Sequence, residues 1–130
     1  LVIGTREEFD VMERLFHENH GDNRKSADWL LAEGVRMVSI KNGKKGSFIF
    51  TEDSCVRGGI YPTRVLKTFG AGDSYSAAFC YGMLHEMTIE QSLRYAAAAS
   101  SITITGHSCS DAMPTLEQVE AYVAEHEYVL

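Results

Sequence analysis

A glycine-rich turn near the middle of the chain constrains the fold most strongly. It separates residues 63–66, which have the character of a short strand, from residues 72–85, which are rich in small side chains and helical in pattern. Gly70 and Gly72 let the backbone turn tightly and let a ligand come close to it. The first N–H groups of the following helix lack intrahelical partners and attract anions. The turn formed by Gly70, Ala71 and Gly72 therefore predicts an anion site at a helix N-terminus.

Asp73 is the first acidic side chain of this helix. The positive end of the helix dipole favours its ionised carboxylate. A carboxylate beside a phosphate site is useful if it accepts a hydroxyl proton during phosphoryl transfer. The alternative is structural, with Asp73 complementing the dipole and the glycines permitting close packing. The residues alone leave both interpretations open.

Two other glycine motifs are excluded or disfavoured. A dinucleotide-binding turn of the Rossmann type has the spacing G-x-G-x-x-G, and its third glycine position is occupied here by Tyr75. The P-loop string G-x-x-x-x-G-K-[ST] does not occur, since the glycines at positions 43 and 46 have the wrong spacing.

The rest of the chain predicts an α/β protein with helices packed around one sheet. Capping boxes at Thr5 with Glu8 and at Thr88 with Gln91 each open a helix. The pattern predicts strands at residues 1–4, 35–40, 48–50, 55–61 and 63–66, and helices at 5–16, 27–33, 72–85, 88–104 and from 114 onward. In the first helix, the apolar face comprises Phe9, Met12, Leu15 and Phe16. We expect a single domain over residues 1–130.

Composition limits the class of partner. The formal charge is −6, which argues against nucleic acid or an anionic membrane as partner, and no apolar run is long enough for a membrane span. Three cysteines without a C-x-x-C pair are typical of free thiols, so we expect a cytoplasmic protein. The chain starts at Leu1 in what reads as a buried strand, and we therefore expect it to be part of a longer protein.

The run Lys67-Thr-Phe-Gly-Ala-Gly-Asp-Ser-Tyr resembles the signature of the ribokinase-like (PfkB) family of carbohydrate kinases, and Gly70 to Asp73 match it fully. Residues 41–46 resemble the family's turn beside the nucleotide, and residues 95–99 its alanine-rich helix. Residues 4–9, 67–79 and 108–114 look most like the branch that phosphorylates a sugar acid in inositol catabolism. The resemblance implies the C-terminal portion of a three-layer, Rossmann-like sandwich, with the N-terminal sugar-binding part and lid outside this chain.

The family resemblance also implies roles for individual residues. Asp73 would be the base, and Gly70, Ala71 and Gly72 the anion hole for the migrating phosphoryl group. The residues implied at the nucleotide are Lys41, Gly43, Tyr95, Ala99 and Gly106, although Tyr95 also fits an ordinary core tyrosine. The implied reaction transfers the γ-phosphoryl group of ATP, with Mg²⁺, to a primary hydroxyl of a small sugar or sugar acid. A homodimer is compatible with the resemblance for the full-length protein.

Two positions depart from the family pattern. Thr5 and Glu8 stand where many members have an Asn-x-x-Glu motif associated with magnesium, and a helix cap explains Thr5 while Glu8 is open to either role. Lys67 stands where many members have an aspartate that helps to hold a monovalent cation, so the resemblance implies either that its ammonium replaces that cation or that it is a solvated lysine.

Three classes of function therefore follow from the sequence. The first is a sugar kinase, of which this chain alone is expected to be inactive. The second is a nucleotide-binding module without catalysis, and the third, which Tyr75 disfavours, is a Rossmann dinucleotide-binding domain.

Overall fold

The structure is a computed structural model that describes residues 1–18, 21–106 and 113–130. The chain divides into two compact units, Leu1–Gly58 and Gly59–Leu130. The first contains the sheet, and the second contains three helices.

A four-stranded sheet organises the first unit. Its elements are β1 (Val2–Thr5), α1 (Arg6–Phe16), α2 (Asn23–Ala32), β2 (Val38–Lys41), a 3-10 turn (Gly43–Lys45), β3 (Ser47–Phe50) and β4 (Cys55–Gly58). The strand order is β1-β2-β3-β4, with β1 and β2 parallel and the other pairs antiparallel. Parallel strands need a long crossover, and α1 and α2 supply it, whereas short turns suffice for the antiparallel pairs.

Apolar side chains from helices and strands form the core of this unit. Its buried members are Phe9, Ala27, Leu30, Val38, Ile40 and Phe50. Val38 and Ile40 of β2 belong to this core, and Ser39 between them is also buried, so both faces of this alternating strand are covered.

The start of α1 follows the sequence prediction, but its buried face does not. Thr5 and Glu8 form the predicted capping box, in which the Thr5 N–H donates to Glu8 Oε2 at 2.7 Å. The prediction that Leu15 and Phe16 face the core is wrong, since they are 77% and 70% exposed. The fully buried residue of the last turns is Glu13, whose carboxylate accepts from Arg6 at 3.3 Å.

The second unit consists of α3 (Ala71–Leu84), α4 (Ile89–Thr105) and α5 (Leu116–Glu125). Capping boxes open α4 at Thr88 and α5 at Thr115. Its core contains Tyr61, Ala97, Ala98, Ala99 and Val119. A bridge between Ile60 and Val129, and a 2.6 Å hydrogen bond from the Gly59 N–H to the Tyr128 hydroxyl, join the two ends of this unit.

The short strand predicted at residues 63–66 is not present. The N–H groups of Leu66 and Lys67 instead donate to the Ile104 carbonyl, at 2.9 and 3.2 Å. The strand predicted to end at Tyr61 ends earlier, at Gly58. In the described part of the chain, no helix is long and apolar enough to cross a membrane.

Candidate active site

The glycine-rich turn lies at the beginning of α3, as predicted. Gly70 has φ 80° and ψ −9°, a left-handed conformation that glycine adopts without strain, and no side chain caps the helix. The turn is closed by the Ala71 N–H on the Thr68 carbonyl, at 3.3 Å, and by the Ser74 N–H on the Gly70 carbonyl, at 3.0 Å. Between them, the N–H groups of Gly72 and Asp73 have no hydrogen-bond partner among the described residues. These two donors are available to an anion.

Asp73 occupies the first turn of α3, and its side chain is exposed. Within the described parts of the chain, its carboxylate makes no hydrogen bond or ion pair. A carboxylate in this state can accept a proton without first breaking an interaction. The structure thus brings together the four residues predicted at this turn, Gly70, Ala71, Gly72 and Asp73.

A pair of hydroxyls behind the turn was not predicted from the sequence. The Thr103 hydroxyl, on α4, lies 2.9 Å from the Ser74 hydroxyl, which in turn donates to the Ala71 carbonyl at 3.1 Å. Both residues are buried. This relay connects the first residue of α3 to the interior of α4, so it holds the turn in place. The only sequence signal was two small polar residues on helix faces that are otherwise apolar.

Lys67 lies three residues before Gly70. Its backbone is fixed by the hydrogen bond from its N–H to the Ile104 carbonyl. Although the residue as a whole is partly exposed, its ammonium nitrogen is buried and has no hydrogen-bond partner among the described residues. A lysine extended into solvent, one of the two predicted alternatives, does not describe this side chain.

The other nucleotide candidates of the second unit lie along α4. Tyr95 is half-buried against the core of this unit, and its hydroxyl lies 3.5 Å from Glu120 Oε1. Burial, followed by the Glu120 carboxylate, raises the pKa of the Tyr95 phenol. Ala99 is 2% exposed, and Gly106 is the C-terminal cap of α4. A contact of these three residues with a nucleotide stays a prediction. Residues 108–114 were also compared with the family. Of these, residues 108–112 lie outside the described part of the chain.

The candidates of the first unit are at the ends of strands. Lys41 is the last residue of β2, and Gly43 opens the 3-10 turn with φ 56°. The Glu8 carboxylate accepts from the Thr5 N–H, as the helix cap requires. No group of three His, Cys, Asp or Glu side chains that could hold a metal ion is found in the described residues. The roles of Lys41 and Gly43 at a nucleotide, and of Glu8 near a metal, stay predictions.

An open groove of about 580 Å³ in the first unit contains none of the predicted site residues. It lies between α2 and the turn from β3 to β4. Its charged lining residues include Arg24 and Asp28, which form an ion pair with each other at 2.8 Å.

An α/β chain with unpaired helix N–H groups, a glycine turn and a free carboxylate has the features of a protein that handles a phosphorylated ligand. The comparison with known proteins gives the family. Residues 1–116 match the pfkB family of carbohydrate kinases, and the chain belongs to this family. The resemblance inferred from the sequence is thereby confirmed.

A curated relative within this family is similar to nearly the whole chain. The chain is 46% identical to 5-dehydro-2-deoxygluconokinase of Geobacillus kaustophilus over 127 residues, which are 97% of this chain and 38% of that protein. The chain therefore spans about two fifths of the length of this relative.

Solved structures confirm the predicted ribokinase-like fold. Ribokinase of Thermotoga maritima matches with a TM-score of 0.84 at 23% identity, over 93% of this chain and 41% of that one. Ribokinase of Arabidopsis thaliana, solved with ribose and ATP, matches with a TM-score of 0.80 at 29% identity, over 92% of this chain and 39% of that one.

Proposed function

We propose that this chain supplies the nucleotide-binding and proton-accepting part of a kinase that phosphorylates a primary hydroxyl of a sugar acid. The observation that carries the proposal is the exposed, unpaired carboxylate of Asp73 in a turn with two free N–H donors. Family membership supports the reaction class. The name of the Geobacillus relative supports 5-dehydro-2-deoxygluconate as the acceptor, and the Arabidopsis complex supports ATP as the donor.

In this proposal Asp73 takes the proton of the acceptor hydroxyl as its oxygen attacks the γ-phosphorus and the bond to ADP breaks. The N–H groups of Gly72 and Asp73 donate to the phosphoryl oxygens, whose charge must be stabilised throughout the transfer. Gly70 is needed because it adopts the left-handed backbone conformation from which α3 begins, and glycine does so without strain. Positioning and charge stabilisation supply most of the rate, and the base adds a factor of roughly 10² to 10⁴.

Magnesium would supply neutralisation of the phosphate charge in this reaction. The described part of the chain has no group of three His, Cys, Asp or Glu side chains that could hold a metal ion, and Mg²⁺ in kinases is usually held by one or two carboxylates together with substrate phosphates. The roles proposed above for Asp73 and the turn are independent of where a metal ion is held.

The test is Asp73→Asn in the complete protein that contains this chain, with 5-dehydro-2-deoxygluconate and ATP as substrates. The amide keeps the size of the side chain and cannot accept the proton, so we expect kcat to fall roughly 10²- to 10⁴-fold. The affinity for ATP, measured by calorimetry, should change little. Glu90→Gln is the matched control, because Glu90 is an exposed acidic residue in the first turn of the neighbouring helix α4.

Equal turnover of Asp73→Asn and the parent protein would remove Asp73 from the mechanism. ATP binding without any turnover in the complete parent protein would instead establish the alternative, a nucleotide-binding module that has no catalytic role.

A further inference from the structure

The ammonium group of Lys67 is a buried cation for which the described residues provide no partner. Its nitrogen is shielded from solvent and donates to no carboxylate or carbonyl in the described part of the chain. Lysine side chains ordinarily bury their stems and keep the ammonium in water. Here the arrangement is reversed, because the residue is partly exposed while its charged end is not.

A buried ammonium without a counter-charge is unfavourable, since the lost hydration is not replaced. The backbone at this residue is held in place. The N–H groups of Leu66 and Lys67 are both tied to the Ile104 carbonyl at the end of α4. A dehydrated ammonium gains a strong, charge-assisted hydrogen bond when an anion supplies the missing acceptor.

The residues that follow Lys67 in the sequence also favour anion binding. Lys67 lies three residues before Gly70, and the turn that follows exposes the free N–H groups of Gly72 and Asp73 at the positive end of α3. These positive features lie close together in the sequence of a chain whose formal charge is −6.

We propose that Lys67 is an anion-binding residue that donates to a phosphate or carboxylate oxygen of a ligand at the turn before α3. The two oxyanions share one chemistry, that of a charge-assisted hydrogen bond, and either a nucleotide phosphate or the carboxylate of a sugar acid would supply it. The proposal rests on the proposed function only for the identity of these ligands. Its consequence is that a fixed ammonium does the work of a bound monovalent cation.

The test compares Lys67→Met, which keeps the length and removes the charge, with Lys67→Arg, which keeps the charge. Binding of pyrophosphate, ADP and D-gluconate to the chain is measured by calorimetry. We expect Lys67→Met to weaken binding of at least one of these roughly 10- to 100-fold, and Lys67→Arg to weaken it much less. Lys25→Met is the matched control, since Lys25 is exposed on α2 and loses the same charge.

The pattern of losses identifies the source of the anion. A loss confined to pyrophosphate and ADP assigns Lys67 to the phosphate, and a loss confined to D-gluconate assigns it to the substrate carboxylate. Unchanged affinity of Lys67→Met for all three probes, in a variant whose circular dichroism matches that of the parent, would overturn the proposal. So would equal weakening by Lys25→Met.

The failure of this proposal is separable from that of the proposed function, because binding of pyrophosphate requires no turnover and Asp73→Asn is read out as kcat. In the complete protein we further expect the same rate when KCl is replaced by tetramethylammonium chloride. A strict requirement for K⁺ would contradict the view that the Lys67 ammonium takes the place of such a cation.

Discussion

At the scale of single residues, two buried hydroxyls, those of Ser74 and Thr103, stabilise the glycine-rich turn before α3. Thr103→Val removes the hydroxyl that contacts Ser74 and the Ala99 carbonyl, each at 2.9 Å, without changing the volume much. We expect a loss of about 1–2 kcal/mol in the free energy of unfolding, because the hydroxyl of Ser74 is left with one partner fewer in a buried place. Urea unfolding of the 130-residue chain measures this loss.

Thr105→Val serves as the control for the hydroxyl network. Thr105 lies on the same helix and is exposed, and among the described residues its hydroxyl donates to the Ile102 carbonyl alone, at 2.8 Å. Its replacement should change the free energy of unfolding by no more than about 0.5 kcal/mol. Equal losses for the two valine variants would show that the contact with Ser74 contributes nothing specific.

Some of these single-residue features could be predicted from the sequence and others could not. Gly70 and Asp73 were identifiable because glycine and an acidic residue at a helix start each have a local physical reason. The burial of Glu13 was not identifiable, since it depends on Arg6, seven positions away, as its partner. Lys67 was left between two roles for a similar reason, because only packing in three dimensions dehydrates its ammonium.

Helices α3 and α4 approach each other closely at Gly82, which is a feature of the elements and not of one side chain. A Cβ placed on Gly82 would lie 2.8 Å from the Cβ and 3.1 Å from the Cα of Ser92. Alanine is favoured over glycine in a helix by about 1 kcal/mol, but overpacking costs about 1–3 kcal/mol. We therefore expect Gly82→Ala to lower the free energy of unfolding, as measured by urea titration.

A second substitution isolates the contact between the helices. In a Ser92→Gly background the atoms that the new methyl group meets are reduced to backbone, so Gly82→Ala should there be nearly neutral or stabilising. A stabilising effect of Gly82→Ala in the parent background would contradict the close approach of α3 and α4.

Element boundaries followed from the sequence where the signal was local. The capping boxes at Thr5 and Thr88 predicted the starts of α1 and α4, because a hydroxyl and a carboxyl or amide three residues later suffice to close them. Residues 63–66 were expected to form a strand, but the backbone donors that follow bond to the end of α4. A pattern of apolar residues does not reveal whether a backbone N–H will find a strand or a helix terminus.

At the scale of the whole molecule, the sequence was sufficient for the fold class. The turns between β2, β3 and β4 are short and rich in glycine or in Asp and Ser, which is enough to predict antiparallel neighbours. The parallel pairing of β1 with β2 joins residues 36 positions apart, such as Val2 and Val38, and depends on where the two intervening helices pack. This parallel pairing is determined by tertiary packing, and the strands predicted from the sequence did not include it.

The last prediction concerns what the 130 residues can do alone. The chain spans about two fifths of the Geobacillus relative, and the family resemblance implies that most residues that position the acceptor sugar lie outside this chain. Because orientation of the acceptor hydroxyl contributes a large share of the rate, we expect the isolated chain to show at most a trace of sugar-dependent ADP release. Binding of ADP, which uses the turn before α3 in our proposal, should persist in calorimetry. A coupled assay with 5-dehydro-2-deoxygluconate, run beside the complete protein and its Asp73→Asn variant, measures the difference. Robust sugar-dependent ADP release from the isolated chain would show that the acceptor site lies within these residues.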